Sequence, residues 1–117
     1  MTEQRRRQND LEAQLAAIGK SQGVIEFDRD GTVLRANENF LDVMGYRDHE
    51  IVGKHHRLFV EPDERESEGY RRFWQKLAEG HTQTAEFKRR TKDGRVVWLQ
   101  ATYIPVRGIS GRVERVV

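Results

Sequence analysis

The sequence predicts one α+β domain, with β-prone segments on either side of a helical middle. Three observations carry this reading. At 117 residues the chain has the size of one domain and no room for a second core. Its β-prone runs fall into an early group and a late group, and residues between them follow helical spacing. The β segments are punctuated by turn signals at Asp30-Gly31, Lys92-Asp93-Gly94 and Gly108 to Gly111.

Composition narrows the functional classes. Hydrophobic residues make up 36% and charged residues 34%, which implies a small core under a heavily charged surface. There are no cysteines, so disulfides, thiolate zinc sites and thiol nucleophiles are excluded. The formal charge of +2 is small, and the aromatics do not interleave with a basic stripe; both argue against a nucleic-acid module. No apolar run approaches the roughly 20 residues that span a membrane, and no signal peptide is present. These features fit the cytoplasm. No nucleophile stands at a recognisable spacing from a base, and no glycine loop suits a phosphate, so an enzyme is not expected.

From the start of the chain, residues 1–22 read as a helix or linker. Leu11, Leu15 and Ile18 fall on one helical stripe among polar residues, which suits a cap over another surface or a coiled coil. Val24 to Phe27 and Thr32 to Leu34 are strands joined by Asp30-Gly31. Asn37 opens a helix as its N-cap, Phe40, Leu41 and Met44 form its apolar stripe, and Gly45 ends it. Asp48 is expected to cap a further short turn closed by Gly53. A longer helix is expected from about Asp63 to Glu79, with Tyr70, Phe73, Trp74 and Leu77 on one face. The last third reads as strands at Thr84 to Arg90, Val96 to Val106 and Arg112 to Val117. Pro105 sits near the end of the long strand, where a missing N–H is tolerated.

This order, with the stretches "FDRDGTVLRANENFLDVMGY", "EIVGKHHRLF", "FWQKLAEG" and "FKRRTKDGRVVWLQATYIPV", resembles a PAS domain, most of all those of bacterial chemoreceptors, aerotaxis receptors and biofilm-dispersal regulators. The resemblance implies a five-stranded antiparallel sheet with short helices on one face, over residues 23–117. It implies a sensory or signal-relay module that detects oxygen, redox state or a small ligand in an internal pocket. Its expected partners are the signalling domains of the same longer protein and a second copy of itself. The chain stops in its last strand, where the family's output linker would begin, so a longer protein is expected. By the same resemblance Leu99, Ala101 and Tyr103 face the pocket while Trp98, Gln100, Thr102 and Ile104 face outward. Leu11, Leu15 and Ile18 would then cover Trp98 and Ile104, or that face would be a dimer contact. The alternative is a ligand-free module for dimerisation or protein–protein interaction.

The expected pocket is lined by Phe27, Met44, Leu58, Phe59, Trp74, Phe87, Leu99, Ala101 and Tyr103. His55 and His56 stand beside it and admit three readings. One is a loop histidine bonded to a backbone carbonyl. The second is an axial haem ligand, since neutral imidazole suits iron. Some chemoreceptor PAS domains bind haem through a histidine near this region, whereas oxygen-sensor relatives carry the ligand on the long helix, where this sequence has Ser67. The third is a flavin contact. Aerotaxis receptors that bind flavin adenine dinucleotide have a histidine matching His56 and a tryptophan like Trp74, but their Pro-Trp pair is Thr82-Gln83 here and a following asparagine is Arg57. The absence of any cofactor is an alternative with at least as much in its favour. Adjacent histidines point apart and do not readily share one ion. His49 and His81 fall in or beside turns and are given no role. The acidic run from Glu61 to Glu68 and the basic run Lys88, Arg89, Arg90 are read as solvated faces.

Overall fold

The structure, a computed structural model, describes residues 22–117. The expected N-terminal helix, with Leu11, Leu15 and Ile18, lies outside the described residues. Strand β1 (Ile25–Asp28) turns into β2 (Val33–Ala36). The Asp28 carboxylate accepts from the backbone N–H groups of Asp30 (2.9 Å) and Thr32 (3.0 Å), a side-chain mimic of a turn. Gly31 is required here twice over. Its φ is +96°, and a Cβ would sit 2.7 Å from His55 Nε2.

Helix α1 (Glu38–Met44) starts at Asn37, whose side chain accepts from Phe40 N–H at 3.0 Å, and stops at left-handed Gly45, as its sequence implies. The same Asn37 oxygen accepts from Val24 N–H at 2.8 Å, which pins the start of β1 to the helix. Helix α2 (Asp48–Ile51) departs from expectation at its cap. Arg47 occupies that position and Asp48 is the first helical residue; Glu50 reaches back to accept from Arg47 N–H at 2.8 Å. A 3₁₀ turn follows at His56–Phe59.

The single long helix expected from Asp63 to Glu79 is two: α3 (Pro62–Arg65) and α4 (Glu68–Ala78). The cause is Ser67. Its hydroxyl accepts from Tyr70 N–H at 3.1 Å and donates to the Glu64 carbonyl at 2.7 Å, ending one helix and capping the next. Tyr70 and Leu77 are buried on α4, with Phe73 and Trp74 packed against the core.

Strands β3 (Gln83–Arg90) and β4 (Val96–Tyr103) pair antiparallel over their full lengths, from Gln83 with Tyr103 to Arg90 with Val96. The expected long strand breaks at Ile104 into β4 and β5 (Pro105–Arg107). Pro105 has no N–H to donate, and the ladder carries a bulge between Val106 and Arg107. Strand β6 (Val113–Val116) lies between β1 and β5, giving the order β2-β1-β6-β5 beside the β3-β4 pair. Ile104 joins the two parts: it exchanges both backbone hydrogen bonds with Val117, at 2.8 and 2.9 Å. Taking β4 and β5 as one interrupted strand, the five expected strands are all present, and the fold is α+β.

The core lies between the sheet and the helices. Phe27, Val33, Met44, Ile51, Phe59, Leu77, Tyr103 and Val116 form its centre. Glu26 is buried between Arg35 and Arg115, each 2.6 Å away, from the strands on either side. Burial alone would raise its pKa; the two arginines outweigh it and hold the carboxyl below its usual value. No helix among the described residues is long and apolar enough to cross a membrane.

Candidate functional site

The adjacent histidines part company at the start of the 3₁₀ turn. His55 is its N-cap and His56 its first residue. The His55 ring closes over the β1–β2 turn. Its Nδ1 accepts from Arg57 N–H at 3.0 Å, and its Nε2 lies 2.7 Å from the Asp30 carbonyl. A backbone N–H can only donate and a carbonyl only accept, so the proton of the neutral ring sits on Nε2. This is the first of the three readings, a loop clamp. Partial burial lowers its pKa below the usual 6.5.

His56 is 1% exposed and points into the core. Nδ1 lies 2.8 Å from the Tyr70 hydroxyl on α4, and Nε2 lies 2.9 Å from the Tyr103 hydroxyl on β4. Arg89 on β3 completes the cluster, donating to Tyr103 Oη from Nε (3.3 Å) and Nη2 (3.1 Å). These bonds order the protons. Arg89 is donor only and takes the acceptor capacity of Tyr103, so the Tyr103 hydroxyl donates onward to His56 Nε2. His56 then carries its proton on Nδ1 and donates to Tyr70. Burial, with the Arg89 and His55 charges, holds the His56 pKa far below 6.5. Burial also pushes the Tyr70 hydroxyl up to about 12, and raises Tyr103 against the opposing pull of Arg89. The group is neutral except for the Arg89 guanidinium.

Rings fill the space around it. Phe27, Phe59, Trp74 and Tyr103 meet His56 edge-on at centroid distances of 5.3 to 5.9 Å, and Phe87 meets Tyr103 edge-on at 5.1 Å. The Trp74 indole N–H is buried near the Tyr70 hydroxyl without a hydrogen bond of normal geometry. A small pocket of about 20 Å³ remains between Ile25, Phe27, Phe40, Met44, His56, Phe59, Arg89, Leu99 and Tyr103.

The expected pocket residues are thus brought together, though unequally. Phe27, Met44, Phe59, Leu99 and Tyr103 border the pocket, joined by His56. Leu58, Trp74, Phe87 and Ala101 pack against the core around it. On β4 Leu99, Ala101 and Tyr103 pack inside as expected, while Trp98 is 66% exposed and Ile104, just past the end of the strand, is 38% exposed. Arg89 is the correction. Expected on a solvated face, it is 3% exposed. Strand alternation from Phe87 puts it inside, a signal present in the sequence and overridden there by the residue's charge. Lys88 is exposed, as expected.

Haem and flavin do not fit these residues. Neither histidine offers a free ring nitrogen: both atoms of His55 are bonded to backbone and both atoms of His56 to tyrosines. Sites for such groups run to roughly 300 Å³ or more, and the pocket has about 20 Å³. A metal role for His55 and His56 is expected only with haem bound; in this structure His55 is a loop clamp and His56 a buried hydrogen-bonding centre. Among the described residues no group of three or more His, Asp or Glu side chains converges on a metal-sized site.

Comparison with known proteins agrees with this architecture. The sequence profile of the PAS fold matches residues 33–117. The chain is 48% identical over 103 residues to the biofilm dispersion protein BdlA of Pseudomonas aeruginosa; the match takes in 88% of this chain and 25% of that protein. The chain thus spans about a quarter of the length of this curated relative. Among solved structures, a light-oxygen-voltage domain studied with a flavin analogue superposes with a TM-score of 0.71 at 24% identity, over 86% of this chain and 76% of that one. The light-state dimer of the fungal blue-light photoreceptor Vivid superposes with a TM-score of 0.67 at 22% identity, over 80% and 72%. At such identities these likenesses concern the fold. With the PAS profile matched over most of its length and the sheet and short helices in place, the chain belongs to the PAS fold family.

Proposed function

We propose that residues 23–117 form a cytoplasmic sensory and signal-relay module of a larger bacterial chemoreceptor-type regulator, and that the module is not itself an enzyme. The pocket beside His56, Arg89 and Tyr103 reads the signal, and the outer face of β3 and β4 delivers it. One observation carries this reading. Strand β4 holds Tyr103 and Leu99 at the pocket and presents Trp98, 66% exposed, on its other face. A shift of the strand is felt on both sides because successive side chains share one backbone. The outer face carries Trp98 and Ile104, and its occupant in this reading is a second copy of the domain, seconded by the stripe Leu11, Leu15 and Ile18. The relation to the biofilm dispersion protein BdlA supports a regulatory setting in a larger protein, and the Vivid dimer is an instance of the fold associating in pairs.

The aromatic filling around His56 favours a second reading, a ligand-free module that only associates. Light scattering on the 117-residue chain tests the outer face common to both. Wild type is expected to reach the mass of a dimer at high concentration, and Trp98→Glu to stay a monomer. Equal masses would remove the interface.

A further inference from the structure

Two charged side chains are buried in the described residues, and only one is neutralised. Glu26 has Arg35 and Arg115. Arg89, at 3% exposure, has no carboxylate of the described residues within ion-pairing distance. Glu64 acts on Tyr103 through its charge but makes no ion pair with Arg89. A guanidinium is not deprotonated in proteins, and a buried charge without a partner is costly. The face of Phe87, 4.8 Å from the guanidinium carbon, compensates in part. Of the five N–H donors of a guanidinium, three are used, by Tyr103 twice and by the Lys88 carbonyl at 2.9 Å. Two remain, and Arg89 borders the pocket.

The other walls limit what could answer that charge. Ile25, Phe27, Phe40, Met44, Phe59 and Leu99 are apolar, so the ligand needs one anionic end and otherwise apolar surface. The space is small, far below that of sites for drug-sized ligands, so the ligand has only a few heavy atoms. We propose that the pocket beside Arg89 binds a small monocarboxylate of the formate or acetate class, its carboxylate paired with the Arg89 guanidinium and the Tyr103 hydroxyl. Bound there, it accepts the hydrogen bond that the Tyr103 hydroxyl otherwise donates to His56 and loosens the link between β4 and the 3₁₀ turn. This deepens the sensory reading and rests on it.

The test is an acetate titration of the isotope-labelled 117-residue chain followed by NMR, with sodium acetate replacing sodium chloride at constant ionic strength. Expected are saturable shifts of the Arg89 Nε–H and Tyr103 signals and contacts between the acetate methyl and the Phe59 and Leu99 side chains. Half-saturation should fall at about millimolar acetate or above, as a ligand of so few atoms allows. Arg89→Met should weaken binding about tenfold or more, while Arg90→Met leaves it intact. Shifts that never saturate, an equal response to chloride, or full binding by Arg89→Met would overturn the assignment. Should Arg89→Met fail to fold, the methyl contacts in the wild-type chain decide alone, and their absence overturns it. Failure here with a Trp98-dependent dimer still in place would remove the ligand and leave the relay module standing.

Discussion

His55 and His56 are neighbours in sequence and belong to different regions of the molecule. His55 serves the β1–β2 turn: it is half-buried, bonded only to backbone, and protonated on Nε2. His56 serves the interface of helix and sheet: it is fully buried, bonded only to side chains, and protonated on Nδ1. Opposite tautomers on adjacent residues show that the donors and acceptors around each ring, not the residue type, decide what a histidine does. One ring fastens a local turn. The other ties α4, the 3₁₀ turn, β3 and β4 into one polar cluster inside an apolar core.

Removing each ring separates the two regions. His56→Ala strands two buried tyrosine hydroxyls and opens a cavity, at a cost of about 3 kcal/mol or more, read as a lower urea midpoint. A loss no larger than that of a surface substitution would place His56 outside the core network. The pH dependence sharpens the contrast. The folded chain keeps His56 neutral while the unfolded chain protonates it below its usual 6.5. The unfolded state therefore binds more protons there, and stability is untouched above that pH and falls below it. The slope reaches about 1.4 kcal/mol per pH unit for one such group. His55, lowered less, adds to it with the same sign. In urea unfolding over a pH series His56→Phe should flatten most of this slope; an unchanged slope would assign it to other groups. His55→Ala loses two partly exposed hydrogen bonds, and about 1 kcal/mol is expected, with the largest gain in amide exchange at Gly31 and Thr32. Smallest of all, Trp98→Glu on the outer face should change stability by only about 0.5 kcal/mol either way, so a change in its mass would report association and not folding.

Much of the fold was legible because it depends on local rules. Asp30-Gly31, the Asn37 cap, the Gly45 stop and the alternation of β4 each act within a few residues, and each holds. The break at Ser67 is also local, but the apolar stripe of α4 dominates the pattern around it and hides the cap. The site was harder to read. Tyr70, Tyr103 and Arg89 lie 14, 47 and 33 positions from His56, and no periodicity links them. A 3₁₀ turn has no long amphipathic face, so nothing in His55-His56 says which ring turns inward. Arg89 was masked by its charge: strand alternation placed it inside, and hydropathy placed it outside.

The most direct test is a long-range proton–nitrogen correlation spectrum of the histidine rings in the 117-residue chain, recorded as the pH is lowered from neutral. The arrangement predicts His56 protonated on Nδ1 and bare on Nε2, His55 the reverse, and no proton uptake by His56 as the pH passes through its usual 6.5. A His56 ring protonated on Nε2, or one that takes up a proton near the usual 6.5, would contradict the network on which the inner site rests.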